Sequence, residues 1–361
     1  MAEDGKRDDP YIKLLAELSE AFGPSGGESP VASIAGVWLK PWCDEIWEDE
    51  MGNLLAKRHG YGDGGQHVGT VVIASHMDEV GLIVKDIDER GFLRFAVLGG
   101  IDERVLVGQE VTVLGRQPVG GVIGMKPPHL LRPDEAGKSI PMADLFIDTG
   151  LGTEVKRFVS VGDMACFKSS FRRLKGELVT GKALDNRAGV ATACQTMRLL
   201  SARKHPPDVI ALLSTQEEEG LRGAMTGCYR LKPKVAIALD VTHGDMPGLS
   251  EWESHKLGGG PTILVGANAH PKLAELLFQV AGELGMECQT EVAPGRSGTD
   301  AWEMQVSREG VATAVVSIPL RYMHSPVETM DVRDGKRCAE LLATAISRME
   351  KAFMEGLNCW D

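Results

Sequence analysis

No apolar run in the sequence approaches the roughly 18 residues of a membrane span. The first residues, Met1 to Pro10, lack the apolar core of a signal peptide and read as a disordered tail over 1–10. No Cys-x-x-Cys pair occurs. The seven cysteines, Cys43, Cys166, Cys194, Cys228, Cys288, Cys338 and Cys359, are odd in number and widely spaced. That excludes a disulfide framework and a thiolate zinc site, and it fits reduced thiols in a cytoplasmic protein. Positive charge is also short: 39 lysines and arginines stand against 51 aspartates and glutamates, a net charge of −12. This is the wrong sign for nucleic acid or an anionic membrane as the main partner. There is no internal repeat and no low-complexity segment.

What is present is the composition of a globular protein of 361 residues, 43% hydrophobic and 25% charged. The length suits two domains or one large one. Helices are expected at 11–22, 29–39 and from about 188 to 202. Others are expected at 220–229, 271–284 and 333–355. Continuous apolar runs at Gly69–Ser75, Val209–Ser214, Val235–Leu239 and Ala312–Ile318 read as buried strands. Ile46 to Lys57 reads as a strand pair. Between Val80 and Leu174 the texture changes to short β-branched runs between glycine turns. These are Val80–Ile87, Gly91–Leu98, Val105–Leu114, Gly121–Met125, Asp144–Asp148 and Val159–Phe167. This stretch predicts a small β-rich domain, a barrel or compact sandwich, inserted into an α/β domain. Lys126 to Pro141 reads as an exposed loop.

Each of the four buried runs leads to a side chain that could bind a metal. The first leads to His76 and Asp78, the second to Glu217 and Glu218, the third to Asp240 and the fourth to His324. In an α/β sheet, ligands bind outside the carboxyl ends of the strands, so these groups could share one crevice. Asp185 adds a carboxylate just before a helix. Three consecutive carboxylates, Glu217 to Glu219, repel one another and cost desolvation unless something positive offsets them. Each residue also has a plainer role open to it. His76 could be a hydrogen-bonded core histidine, Asp78 a turn cap, Asp185 a helix N-cap, Asp240 the start of a turn and His324 a loop residue. Together, two imidazoles and several carboxylates without a thiolate match the donors of a two-zinc site. Two metals about 3.5–4 Å apart would hold and activate a water, and a glutamate would carry its proton to the leaving group.

Six segments carry a resemblance. They are Ala74-Ser-His-Met-Asp-Glu-Val-Gly81, Gly181-Lys-Ala-Leu-Asp-Asn-Arg-Ala-Gly189 and Thr215-Gln-Glu-Glu-Glu-Gly-Leu-Arg-Gly-Ala224, then Ala238-Leu-Asp-Val-Thr-His243, Gly298-Thr-Asp-Ala301 and Met323-His-Ser-Pro-Val-Glu328. In this order, from about residue 11 to 350, the chain resembles the cytosolic di-metal glutamyl/TET-type aminopeptidases of the zinc-exopeptidase group. The resemblance implies an α/β fold: a mixed-sheet catalytic domain with helices on both faces, from 11–78 and 175–361, and an inserted β-barrel-like dimerisation domain at 79–174. It implies two divalent cations per subunit, zinc or cobalt. His76 and Asp240 would complete one site and Glu218 and His324 the other, with Asp185 bridging. Glu217 would be the general base, and Asp78 would orient His76. It implies removal of N-terminal residues from short peptides, inside a tetrahedral dodecamer built from dimers.

Two details depart from the family. Glu219 stands where an apolar residue often precedes the glycine. It could favour a basic substrate end, perturb metal affinity or point away. Trp302 follows Gly298–Ala301, and Arg296 nearby could pair with an acidic substrate or be a solvated loop cation. A di-zinc deacylase or carboxypeptidase of the wider group, and a non-catalytic oligomeric scaffold, are the competing readings. Some relatives have been described as glucanases, but glycosidases usually use a carboxylate pair and no metal. The intact set of candidate ligands weighs against a scaffold.

Overall fold

A computed structural model describes residues 9–130 and 140–357. The helices are α1 (Pro10–Glu20), α2 (Ser29–Leu39), α3 (Glu103–Leu106), α4 (Leu184–Ser201) and α5 (Arg222–Leu231), followed by α6 (Pro271–Glu283), α7 (Ala301–Gln305), α8 (Val332–Ile346) and α9 (Lys351–Glu355). The first strands are β1 (Glu45–Glu48), β2 (Leu54–Arg58) and β3 (Thr70–His76). Six more follow: β4 (Gly81–Ile87), β5 (Leu93–Leu98), β6 (Glu110–Leu114), β7 (Pro118–Gly124), β8 (Phe146–Asp148) and β9 (Met164–Phe167). The rest are β10 (Arg172–Arg173), β11 (Leu178–Gly181), β12 (Asp208–Ser214), β13 (Val235–His243), β14 (Thr262–Gly266), β15 (Gln289–Ala293), β16 (Ala312–Arg321) and β17 (Glu328–Asp331).

One mixed sheet of 11 strands runs in the order β1-β2-β12-β3-β13-β16-β17-β11-β10, with β14 joined to β16 and β15 to β14. Its centre, β12-β3-β13-β16, is parallel. These strands are buried on both faces, which is why they read as unbroken apolar runs and not as alternating ones. Val71, Ile73, Ile237 and Val316 join α1, α2, α4, α6 and α8 on one face. Val72, Ala74, Ala236 and Val315 join α5 and α7 on the other. Strands β4 to β9 form a separate closed antiparallel barrel, in the order β4-β5-β8-β7-β6-β9, around its own core of Leu82, Phe95, Val111 and Ile147. Only Met77 to Val80 separate the end of β3 from the start of the barrel. No helix among the described residues is long and apolar enough to cross a membrane.

Several expectations need correction. The run Val105–Leu114 is not one strand: Asp102 accepts from Arg104 N–H as a cap, α3 forms, and only Glu110–Leu114 pairs. The final helix is two helices. The chain turns between Ile346 and Lys351 and buries both Met349 and Met354, with no glycine or proline to mark the turn. Asp9 and Pro10, read as tail, cap and start α1. The remaining tail residues, Cys359 and most of the loop read at 126–141 lie outside the described residues. Of that loop, Pro128–Leu130 form a short 3-10 turn. The other six cysteines are free thiols.

Candidate active site

His76 is the last residue of β3, and Asp240 lies in the second half of β13. Glu217 and Glu218 follow β12 by a few residues, and His324 follows β16. Parallel pairing in register (Ser214 opposite His76, Ala238 opposite Ala74) brings these ends to one edge of the sheet.

Asp185 is set by its neighbour. Asn186 Nδ2 donates to Ser75 Oγ and to the Leu239 carbonyl, both at 3.0 Å, and so ties the start of α4 to β3 and β13. Gly189 lets the helix come this close: a Cβ there would lie 2.3 Å from Ser75 Oγ and 2.7 Å from the Leu239 carbonyl oxygen. Asp185 itself is non-helical, in a cis peptide with Asn186, and does not act as a cap. Its Oδ1 lies 3.2 Å from His76 Nε2, and its Oδ2 lies 3.3 Å from His324 Nε2.

Both imidazoles are oriented by their other nitrogen. His76 Nδ1 faces the Asp78 carbonyl at 3.1 Å and the Asp78 carboxylate at 3.4 Å. His324 Nδ1 faces the Gly100 carbonyl at 2.6 Å. Each Nδ1 must therefore be the donor, which leaves Nε2 for the cluster. His76 Nε2 is 3.7 Å from Asp240 and 3.9 Å from Glu217, and His324 Nε2 is 3.1 Å from Glu218. The Asp78 carboxylate also accepts from Ser25 Oγ and from the N–H groups of Glu217 and Glu218, so it aims the acidic loop as well as His76. Gln216, just before that loop, and His324 itself adopt left-handed φ values of 54° and 61°. Such conformations persist where surrounding structure over-determines them, and they collect at functional sites.

Three residues carry more of the site than their sequence context reveals. Glu328 is buried and accepts from Asp185 N–H at 2.9 Å and His324 N–H at 2.8 Å. Asp300 takes the Ser214 hydroxyl at 2.6 Å on Oδ2, while its Oδ1 is buried without a hydrogen-bond partner. Glu79 receives Lys182 Nζ at 2.6 and 2.8 Å and lies 3.5 Å from the buried Arg187. Glu328, Asp300 and Glu79 all fall inside the six recognisable segments. A carboxylate that serves distant N–H groups or buried cations has no local signature. Arg296 is exposed on the loop after β15, and Trp302 is half-buried in α7. Neither belongs to the cluster.

The cluster has a surplus of negative charge. Burial pushes the Glu217 carboxyl up to about 10, with Asp240, Asp300 and Glu218 adding to the shift against His76. Asp240 is pushed up to about 8 by burial, then by Asp185 and Asp300. Burial also raises Glu218 and Glu328, and takes Asp300 to about 6. Burial opposes charge on His324, yet Asp185 and Glu218 raise it to about 11. Desolvation would raise Asp185, but the two imidazoles hold it well below the usual carboxylate range. A group of carboxyls this reluctant to ionise is one that a cation stabilises.

The donor set fits such a cation. Possible ligand atoms of His76, Asp185 and Asp240 lie within 4.8 Å of one another, as do those of Asp185, Glu218 and His324. The same holds for His76, Glu217 and Glu218. All are oxygen or imidazole nitrogen, the ligands of zinc and its neighbours. The unpartnered Asp300 oxygen beside them is the kind of atom a bound ion or its waters would satisfy.

The description of M42 glutamyl aminopeptidases matches residues 52–341. The chain belongs to that family. Over 356 residues it is 35% identical to the lysyl aminopeptidase of Pyrococcus furiosus, covering 97% of this chain and 98% of that protein. The TET aminopeptidase of a marine-sediment Thaumarchaeota archaeon superposes with a TM-score of 0.91 at 34% identity, over 98% of this chain and 100% of that one. A TET1 peptidase of Pyrococcus horikoshii, which can assemble into a tetrahedron or a large octahedral shell, superposes at 0.82 with 31% identity, over 94% and 99%. This M42 chain is thus an aminopeptidase, a hydrolase of peptide bonds. M42 peptidases are metal-dependent, and these structural relatives support a homo-oligomer.

Proposed function

We propose that this M42 protein removes N-terminal residues from short peptides with the help of two divalent cations, zinc or cobalt. The observation that carries this reading is Asp185, which offers one carboxylate oxygen to each imidazole and so joins the two ligand trios. His76, Asp185 and Asp240 would hold one cation, and Asp185, Glu218 and His324 the other. When bound, such a pair lowers the pKa of a water and polarises the scissile carbonyl.

The rest is done by the chain. Glu217, whose main-chain N–H donates to the Asp78 carboxylate beside the trios, takes the water's proton and delivers it to the departing amine. Asp78 fixes His76 and the acidic loop together. Glu328 fixes the main chain of Asp185 and His324. Residues 11–78 and 175–361 form the catalytic domain in this reading, and the segment 79–174, which contains the barrel, is the dimerisation domain. Dimers building to a tetrahedral dodecamer, as the TET relatives suggest, would admit short peptides only. Free thiols suit the cytoplasm.

Peptides of a few residues, each with a free or an acetylated N-terminus, test the reaction. The expected result is stepwise release of amino acids from free N-termini only, lost on chelation and restored by zinc or cobalt. Release from the carboxyl end, or loss of the acetyl group alone, would place the protein with the carboxypeptidases or deacylases instead. Absence of release with any metal would favour the scaffold.

His324→Ala tests the second trio. Metal analysis is expected to find one tightly held cation in this variant against two in the parent. Equal occupancy would remove His324 from the ligand set.

A further inference from the structure

Glu219 parts company with the two glutamates before it. Its Oε1 accepts the main-chain N–H of Gly99 at 2.7 Å, away from the cluster. Gly99 and Gly100 form the turn between β5 and α3, at the rim of the barrel. The Gly100 carbonyl is the acceptor for His324 Nδ1 at 2.6 Å. The turn is also fitted closely to Glu218. A Cβ on Gly99 would lie 3.2 Å from Glu218 Cβ and 3.3 Å from its Oε2, and φ here is +77°, which an L side chain rarely adopts. One two-residue turn from the barrel therefore meets both Glu218 and His324, the members of the second trio that the first does not share.

Two adjacent glycines have no side chains with which to anchor a turn. The turn must be held through its main chain, and the acceptor oxygen of Glu219 supplies that hold at Gly99 N–H. We infer that Glu219 is a positioning residue, which clamps the Gly99–Gly100 turn so that the barrel supplies the acceptor that orients His324. The clamp sets cation affinity at the Asp185–Glu218–His324 trio and leaves the His76–Asp185–Asp240 trio unaffected. The inference rests on the two-metal reading above.

Cobalt(II) binding to the metal-free full-length protein tests it, followed by calorimetry and by visible absorption. The parent is expected to take up two ions. Partners that orient metal ligands are typically worth about 10–100-fold in affinity, and Glu219 acts one step removed, so Glu219→Leu is expected to weaken one ion about tenfold. The other ion keeps its affinity, and the absorption bands of the weakened ion shift. Glu219→Gln retains an acceptor oxygen for Gly99 and is expected to stay within about twofold of the parent.

A Glu219→Leu protein that binds both ions like the parent would overturn the inference. So would a Glu219→Gln protein that loses as much as the leucine variant, since charge and not the acceptor would then matter. Circular dichroism on both variants separates these results from a folding defect. A parent that takes up only one ion would refute the two-metal reading itself, which is a different outcome from either.

Discussion

Glu217→Gln is expected to lower kcat by about 10²–10⁴-fold, the range that a positioned general base supplies, while both cations remain bound. The amide keeps the shape of the side chain and can still meet its neighbours, but it cannot take a proton. The Glu217 main-chain N–H remains on Asp78, so the acidic loop and Glu218 keep their places. Glu217 faces the first imidazole at 3.9 Å, further than the 3.2 Å of Asp185. In the proposed reading it is the carboxylate left to move the proton. Steady-state kinetics on a chromogenic aminoacyl substrate, with metal analysis of the same sample, would check both halves. A variant as active as the parent would return the base role to another residue. A variant stripped of metal would make Glu217 a ligand.

Glu79→Gln is expected to destabilise the fold by about 3–5 kcal/mol, the typical cost of breaking a buried ion pair from one side. Glu79, Lys182 and Arg187 are all buried. The amide can still accept one hydrogen bond but carries no charge, so Lys182 and Arg187 are left with neutral partners only, among them the carbonyls of Ala21, Leu18 and Gly23. Two cations are then left in the interior without a counter-charge. The exposed pair Arg230–Glu50 serves as the contrast, because solvent screens it and its loss should change little. Thermal unfolding of Glu79→Gln and Glu50→Gln, at one protein concentration because assembly adds to apparent stability, would separate the two. Equal unfolding temperatures would mean that the buried triad contributes no more than a surface pair.

The parts of the site that were legible in the sequence share one property: each follows a run of apolar β-branched residues. A buried parallel strand leaves a continuous signal, and the polar residue at its end stands out against it. That is how His76, Glu217, Glu218, Asp240 and His324 came to attention. Their division into two trios and the bridging place of Asp185 came from family resemblance. The choice of Glu217 over Glu219 as base came the same way, because spacing alone does not say where a side chain points. Strands β10, β11, β14, β15 and β17 escaped. They are short, and the exposed alternation of Gln289–Ala293 is too weak to distinguish from a loop. Glu328 and Asp300 escaped as functional groups for another reason. Their partners are main-chain N–H groups and a hydroxyl supplied by distant segments, which only the folded chain brings to them.

The sheet order also dictates when a newly made chain can become dangerous. His76 is among the first site residues to leave the ribosome, but β16 pairs beside β13, the loop after it carries His324 and β17 begins at Glu328. Those residues are translated 84 and 88 positions after Asp240, a delay of roughly 4–18 seconds at about 5–20 residues per second. Until then, in the two-metal reading, the chain lacks the second trio. Fragments released early from translation end before the second histidine. In that reading the chemistry arrives only with a late central strand, once β16 has joined the sheet beside β13.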